Sequence, residues 1–153
     1  MVSEEKAYII FSSLVMTVAS KKFKADTSHE EAEEFVRALF KDYMAQGLEV
    51  PEVDWVVSAP KKVVAWITKS LANSFKCYGA MPIWIDEPGW RYIEGRPMDF
   101  VHQFQVDNGE DDSYSGVVTY VFFGRKQSDG GQWELVVKLI QQDKGEAGTI
   151  YLD

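Results

Sequence analysis

The chain has 153 residues, enough for one domain with its own core and short for two. Its formal charge of −8 opposes direct binding to a phosphate backbone, and its single cysteine, Cys77, excludes an internal disulfide and a thiolate zinc cluster. Apolar residues at 46% and aromatic residues at 14% supply an ordinary globular interior with a generous share of rings.

The chain opens on an acidic stretch, Met1 to Lys6, ahead of an apolar run from Ala7 to Ala19. A secretory leader wants a basic start, and Ser12, Ser13 and Thr17 interrupt the run short of bilayer length, so a cytoplasmic protein without a membrane span is expected. Ala7, Ile10, Phe11, Leu14, Val15 and Val18 recur at helical spacing, although the β-rich residues Tyr8 to Phe11 leave a strand open. The second helix is announced by Thr27 or Ser28 as cap, with Glu30 or Glu31 three residues on, and by acids in its first turns. Its apolar stripe runs through Ala32, Phe35, Val36, Leu39, Phe40, Tyr43 and Met44 to a stop at Gly47. Pro51 and Pro60 bracket a link containing Trp55, Val56 and Val57. Ser58 then caps a third helix that turns Val63, Val64, Ile67, Leu71 and Phe75 inward, with Trp66 beside them.

From Gly79 the character changes to Gly, Pro and short β-rich runs. Met98 to Val106 alternates with period two, which places Met98, Phe100, His102 and Phe104 on one face. Val117 to Phe123 is continuously apolar and reads as a strand buried on both faces; Trp133 to Ile140 and Thr149 to Leu152 complete the set. The expected fold is α+β: a single domain over 1–153, with a helical layer over 1–77 packed on a mainly antiparallel sheet over 78–153.

No arrangement of catalytic residues is legible. His29 on an acidic helix start reads as solvated, and His102 reads as a core or interface residue beside Phe100 and Phe104. Cys77, beside Lys76 at a helix end, reads as a half-buried structural thiol. The loop from Asp107 to Asp112 is rich in oxygen ligands but lacks the order of a calcium loop. Nucleophile elbows and phosphate-cradling glycine motifs are missing from the sequence, and no metal or cofactor is expected. The best candidates for a partner-binding surface are Trp84, Asp86, Glu87 and Trp90 in one Pro/Gly-containing loop, with Asp107, Glu110, Asp111 and Asp112 in another. The two indoles also fit as core residues closed under their loop, and both readings stay open at this point.

The phrases Gly79-Ala80-Met81-Pro82, Trp90-Arg91, Gly95 to Gln103, Gly116 to Phe123, Trp133 to Leu139 and Gly145 to Tyr151 resemble those of the YwqG-like family of bacterial proteins of unknown function. The resemblance covers 79–153 and departs from the family in Arg91, where a proline is usual, and in length, so the chain resembles a shortened, diverged member. Relatives of this kind often look like accessory genes near contact-delivered toxins. That implies an immunity protein: a non-catalytic antitoxin that covers the active site of a basic, cognate protein toxin. The charge agrees, because residues up to Phe75 carry 9 basic and 11 acidic side chains and those from Lys76 onward 7 and 13. The acidic half would speed capture of a basic partner. The alternative is a small-molecule binder or enzyme with a pocket between helices and sheet, using Arg96, Gln103 and Gln105. A third is an adaptor that pairs with itself.

Overall fold

The computed structural model describes residues 3–50, 61–105, 116–143 and 148–153. Among them the chain forms three α-helices, α1 (Glu4–Phe23), α2 (Glu33–Ala45) and α3 (Lys61–Ala72). Six strands follow: β1 (Tyr92–Ile93), β2 (Arg96–Pro97), β3 (Asp99–Gln105), β4 (Val117–Gln127), β5 (Trp133–Asp143) and β6 (Thr149–Leu152). The architecture is α+β, as the residue patterns indicate.

The first segment is helix and not strand. The Ser3 hydroxyl accepts from the Lys6 N–H at 3.2 Å, Glu4 and Glu5 occupy the first turn and Lys21 and Lys22 the last, so cap and dipole both favour it. Its buried stripe of Ala7, Ile10, Phe11, Leu14, Val15, Val18 and Ala19 packs on α2 and α3. Tyr8, Phe11, Phe40, Tyr43 and Trp66 form one cluster of rings there, with centroids 5.0–6.1 Å apart.

The start of the second helix differs from expectation. A 3-10 turn (Glu30–Ala32) precedes α2, and His29 caps it, its Nδ1 accepting from the Glu31 N–H at 3.3 Å. Ser28 is instead turned toward Asp26, donating its N–H and hydroxyl to Oδ1 at 2.9 and 2.6 Å. His29 is therefore not a solvated residue: it is half-buried and stacks on Tyr151 at 4.3 Å. Gly47, at φ 72°, follows the end of α2 as a left-handed stop. The expected cap at Ser58 and the Trp55 group lie outside the described residues.

Strands β3 to β6 form an antiparallel meander in chain order. A tight hairpin of β1 and β2 packs beside it. Glu94 and Gly95, at φ 48° and 72°, make the two-residue turn whose backbone twist suits a hairpin. A Cβ on Gly124 of β4 would meet the Ile93 Cγ2 at 2.8 Å and Met98 at 3.1 Å, so that glycine lets the hairpin lie against the sheet.

Two strand expectations are corrected. The β3–β4 register slips between Phe100 and His102, where a bulge adds one residue to β3. Phe100 stays inside opposite Phe122, but His102 and Phe104 turn to the other face, opposite Val121 and Thr119, and are exposed. Period-two counting placed them with Phe100 because it cannot see an inserted residue. Second, β4 is not buried on both sides. Val118, Tyr120 and Phe122 point into the core, whereas on the other face Thr119 is buried but Val121 and Phe123 are only half-buried.

Between α3 and β1 the chain crosses the inner face of the sheet without regular structure, so its backbone groups need partners from elsewhere. Side chains of the sheet supply them. Gln103 donates to the Ile83 carbonyl at 3.3 Å and accepts from its N–H at 2.7 Å. The Tyr120 hydroxyl donates to the Ile83 carbonyl at 2.8 Å and accepts from the Ile85 N–H at 3.2 Å. Gln142 accepts from the Ile85 and Asp86 N–H groups at 3.1 and 3.2 Å and donates to the Glu87 carbonyl at 2.7 Å. The strap is thereby fastened across the core.

Candidate functional site

The two tryptophans proposed as interface anchors belong to the interior. Trp90 is 1% exposed, its Nε1 donates to the Met98 carbonyl at 2.8 Å, and its ring meets Phe75 and Phe122 edge-on at 5.0 and 5.2 Å. It cannot present a surface to a partner. Trp84 is half-buried; its ring lies 4.4 Å from Tyr120 and its Nε1 donates to the Lys24 carbonyl at 2.5 Å. The strap that carries both is drawn inward by the Gln103, Tyr120 and Gln142 bonds, which no loop composition reveals.

Asp86 and Glu87 are exposed, and Asp86 Oδ2 accepts from Thr149 Oγ1 at 2.9 Å. That contact places them on the helix-covered side of the sheet. Asp107, Glu110, Asp111 and Asp112 lie outside the described residues. Cys77 is half-buried and burial pushes its thiol up, with the Asp99 carboxylate adding to the shift, so the nucleophilic thiolate is disfavoured. Among the described residues no three His, Cys, Asp or Glu side chains converge on a point that would hold a metal ion.

Among the described residues, Arg91 is the side chain with the most hydrogen bonds. At 2% exposure, its guanidinium donates to both Glu31 oxygens, at 3.3 and 2.9 Å, and to Asp153 Oδ1 at 2.5 Å. It also donates to the carbonyls of Leu139 and Leu152, at 2.7 and 2.5 Å. The guanidinium holds the Asp153 carboxyl below its ordinary range, by hydrogen bond first and by charge second. The role is structural: one cation joins the turn before α2 to β5 and the chain end at β6. Tyr92 beside it donates its hydroxyl to the Asp26 carbonyl at 2.8 Å, and burial raises its phenol well above the ordinary value.

The surface that stands out is the outer face of the sheet. Along β5 the outward residues are Trp133, Leu135, Val137 and Leu139, while the covered side holds Glu134, Val136, Lys138, Ile140 and Gln142. The usual pattern of an antiparallel sheet, apolar toward the core and polar toward water, is inverted on this strand. Trp133 is 60% exposed and Leu135 65%. Phe104 from β3, Val121 and Phe123 from β4, and Ile150 and Leu152 from β6 extend the surface across all four strands. The four strands lie side by side at the level of Leu139 to Gln142, and toward Trp133 the face narrows to β4 and β5, where Arg125 and Gln127 stand opposite Leu135 and Trp133. Exposed apolar side chains gathered on one face are the general signature of an interaction site.

This face escaped the sequence reading, although a signal was present. A single helical layer covers one side of a sheet, and Trp133 to Leu139 carries its charged residues, Glu134 and Lys138, on the opposite parity from its aromatic one. Comparison with family models, with characterised proteins and with solved structures finds no match, so the likeness to YwqG-like phrases rests on the residues quoted for it alone.

Proposed function

We propose that this chain is a non-catalytic binding protein of the immunity type, which holds a cognate protein toxin against the open face of its sheet. The observation that carries the reading is the inverted polarity of β5, with Trp133, Leu135, Val137 and Leu139 toward solvent. Leaving such residues in water forgoes about 1.5–3 kcal/mol per large side chain relative to burial, which a partner would recover. Rigid aromatic and aliphatic side chains on a sheet lose little entropy on docking, as anchors in interfaces require. The charge of −8 adds attraction toward a basic partner at long range, while the face itself is apolar and would set the lifetime of the complex. Resemblance to YwqG-like proteins supplies the toxin-neutralising part of the proposal.

The test is co-expression with the products of the adjacent genes, scoring rescue of growth, followed by titration of the purified pair. The expected result is a one-to-one complex that Leu135→Lys weakens at least a hundredfold with thermal stability unchanged. Rescue and affinity unaltered by Leu135→Lys and Trp133→Ala would remove the face from the function. Concentration-dependent dimerisation abolished by the same substitutions, with no adjacent product bound, would assign the face to a second copy and overturn the immunity reading.

A further inference from the structure

A groove of about 390 Å³ lies where the end of α3 meets the β2–β3 corner and β4, with Phe35 of α2 in its lining. Its rim carries three cationic side chains, Lys76, Arg96 and Arg125, together with the donors Asn73 and Tyr78 and one carboxylate, Asp99. In a chain of net charge −8 three cations around one depression run against the general composition. Their convergence is produced by long-range structure. Phe100 donates to the Lys76 carbonyl at 2.8 Å and accepts from the Tyr78 N–H at 2.9 Å, which lays residues 76–78 along the edge of β3. Arg96 is brought to β4 by its own bond to the Arg125 carbonyl at 2.9 Å.

The cations are not consumed by the fold. Arg96 has Glu94 at 3.7 Å, a long and exposed contact, and no ion pair among the described residues involves Lys76 or Arg125. Guanidinium forks match the paired oxygens of phosphates and carboxylates, and an ammonium adds a point charge. The volume suits a small metabolite and not a macromolecule. We infer that this groove binds a small oxyanion carrying at least two negative charges, with Lys76, Arg96 and Arg125 as its ligands. Asp99 offsets one of the three cations, so anions of higher charge are favoured over monoanions.

Calorimetric titration of the full chain with inorganic pyrophosphate and, separately, with citrate, at constant ionic strength, tests this. Saturable one-to-one binding of at least one of the two is expected; pyrophosphate alone would specify a phosphate ligand, citrate alone a carboxylate. Arg96→Ala and Lys76→Ala should each weaken it about tenfold, the loss of one charge-assisted hydrogen bond. Asp99→Asn should strengthen it, an outcome that simple loss of structure would not produce. Lys126→Ala, an exposed cation outside the groove, should leave binding unchanged. Lys76 makes no side-chain hydrogen bond among the described residues, so its variant separates ligand loss from misfolding. The inference falls if neither anion saturates, or if Lys126→Ala weakens binding as much as Lys76→Ala.

Discussion

Arg91 illustrates how a single residue can hold distant parts of this chain together. Its partners, Glu31, Leu139, Leu152 and Asp153, are 48 to 62 positions away in sequence. Removing the cation would leave a half-buried carboxylate and two carbonyls without their donor. Arg91→Met should therefore cost about 3–5 kcal/mol in urea denaturation, and Arg91→Lys should recover only part of it, because an ammonium cannot fork to four acceptors. Tyr92 and Asp153 give the pH dependence opposite signs. The folded state favours the neutral Tyr92 phenol, so its contribution is complete below pH about 10 and is lost as the unfolded chain ionises above it. The folded state favours the ionised Asp153 carboxylate, so its contribution is present above the ordinary carboxyl range and disappears as pH falls through it. Thermal melts across pH should show Tyr92→Phe flattening the alkaline limb and Asp153→Asn flattening the acid one. At neutral pH Tyr92→Phe should still cost about 1–2 kcal/mol, since the Asp26 carbonyl loses its donor.

Among the elements, the strap between α3 and β1 depends on the strands beneath it. Gln142 is fully buried and serves four groups: the N–H of Ile85 and of Asp86, the carbonyl of Glu87 and the Thr149 hydroxyl. Gln142→Met keeps the volume and removes every one of those bonds. A loss of about 3 kcal/mol is expected, with faster amide exchange at Ile85 and Asp86 as the local signature. If exchange there stays slow while global stability falls, the strap is held by Trp84 packing and not by the amide. The helices were legible in the sequence because their signals are local: stripe, acidic first turn and glycine stop all fall within a few residues, although the cap of the second was misplaced. The four strands of the main sheet were legible in position for the same reason, whereas the short β1–β2 hairpin was not. The bulge after Phe100 was not, since an extra residue in one strand has meaning only against the register of its neighbour.

For the whole molecule, charge and apolar surface act at different ranges. Neutralising Asp86 and Glu87 should slow association with a basic partner and reduce its salt dependence, leaving the dissociation rate unchanged. Leu135→Lys should do the reverse, raising the dissociation rate with a smaller effect on capture. Surface-plasmon kinetics at two ionic strengths would separate the two, and equal effects on both rates would argue against this division of roles. The candidate site was poorly legible for a physical reason. Composition identified Trp84 and Trp90 as large, loop-borne rings, but whether a ring faces water depends on what packs over it.

The sequence by itself determined the α+β class, the helical faces, the mainly antiparallel sheet and the acidic balance. Each follows from spacing, propensity or composition within a short window. Only the tertiary structure decided that Trp90 is core, that Arg91 is a buried clamp, that His102 turns outward and that the apolar side of β5 is the open one. These depend on contacts between residues far apart in the chain, and on which of two apolar faces the single helical layer covers.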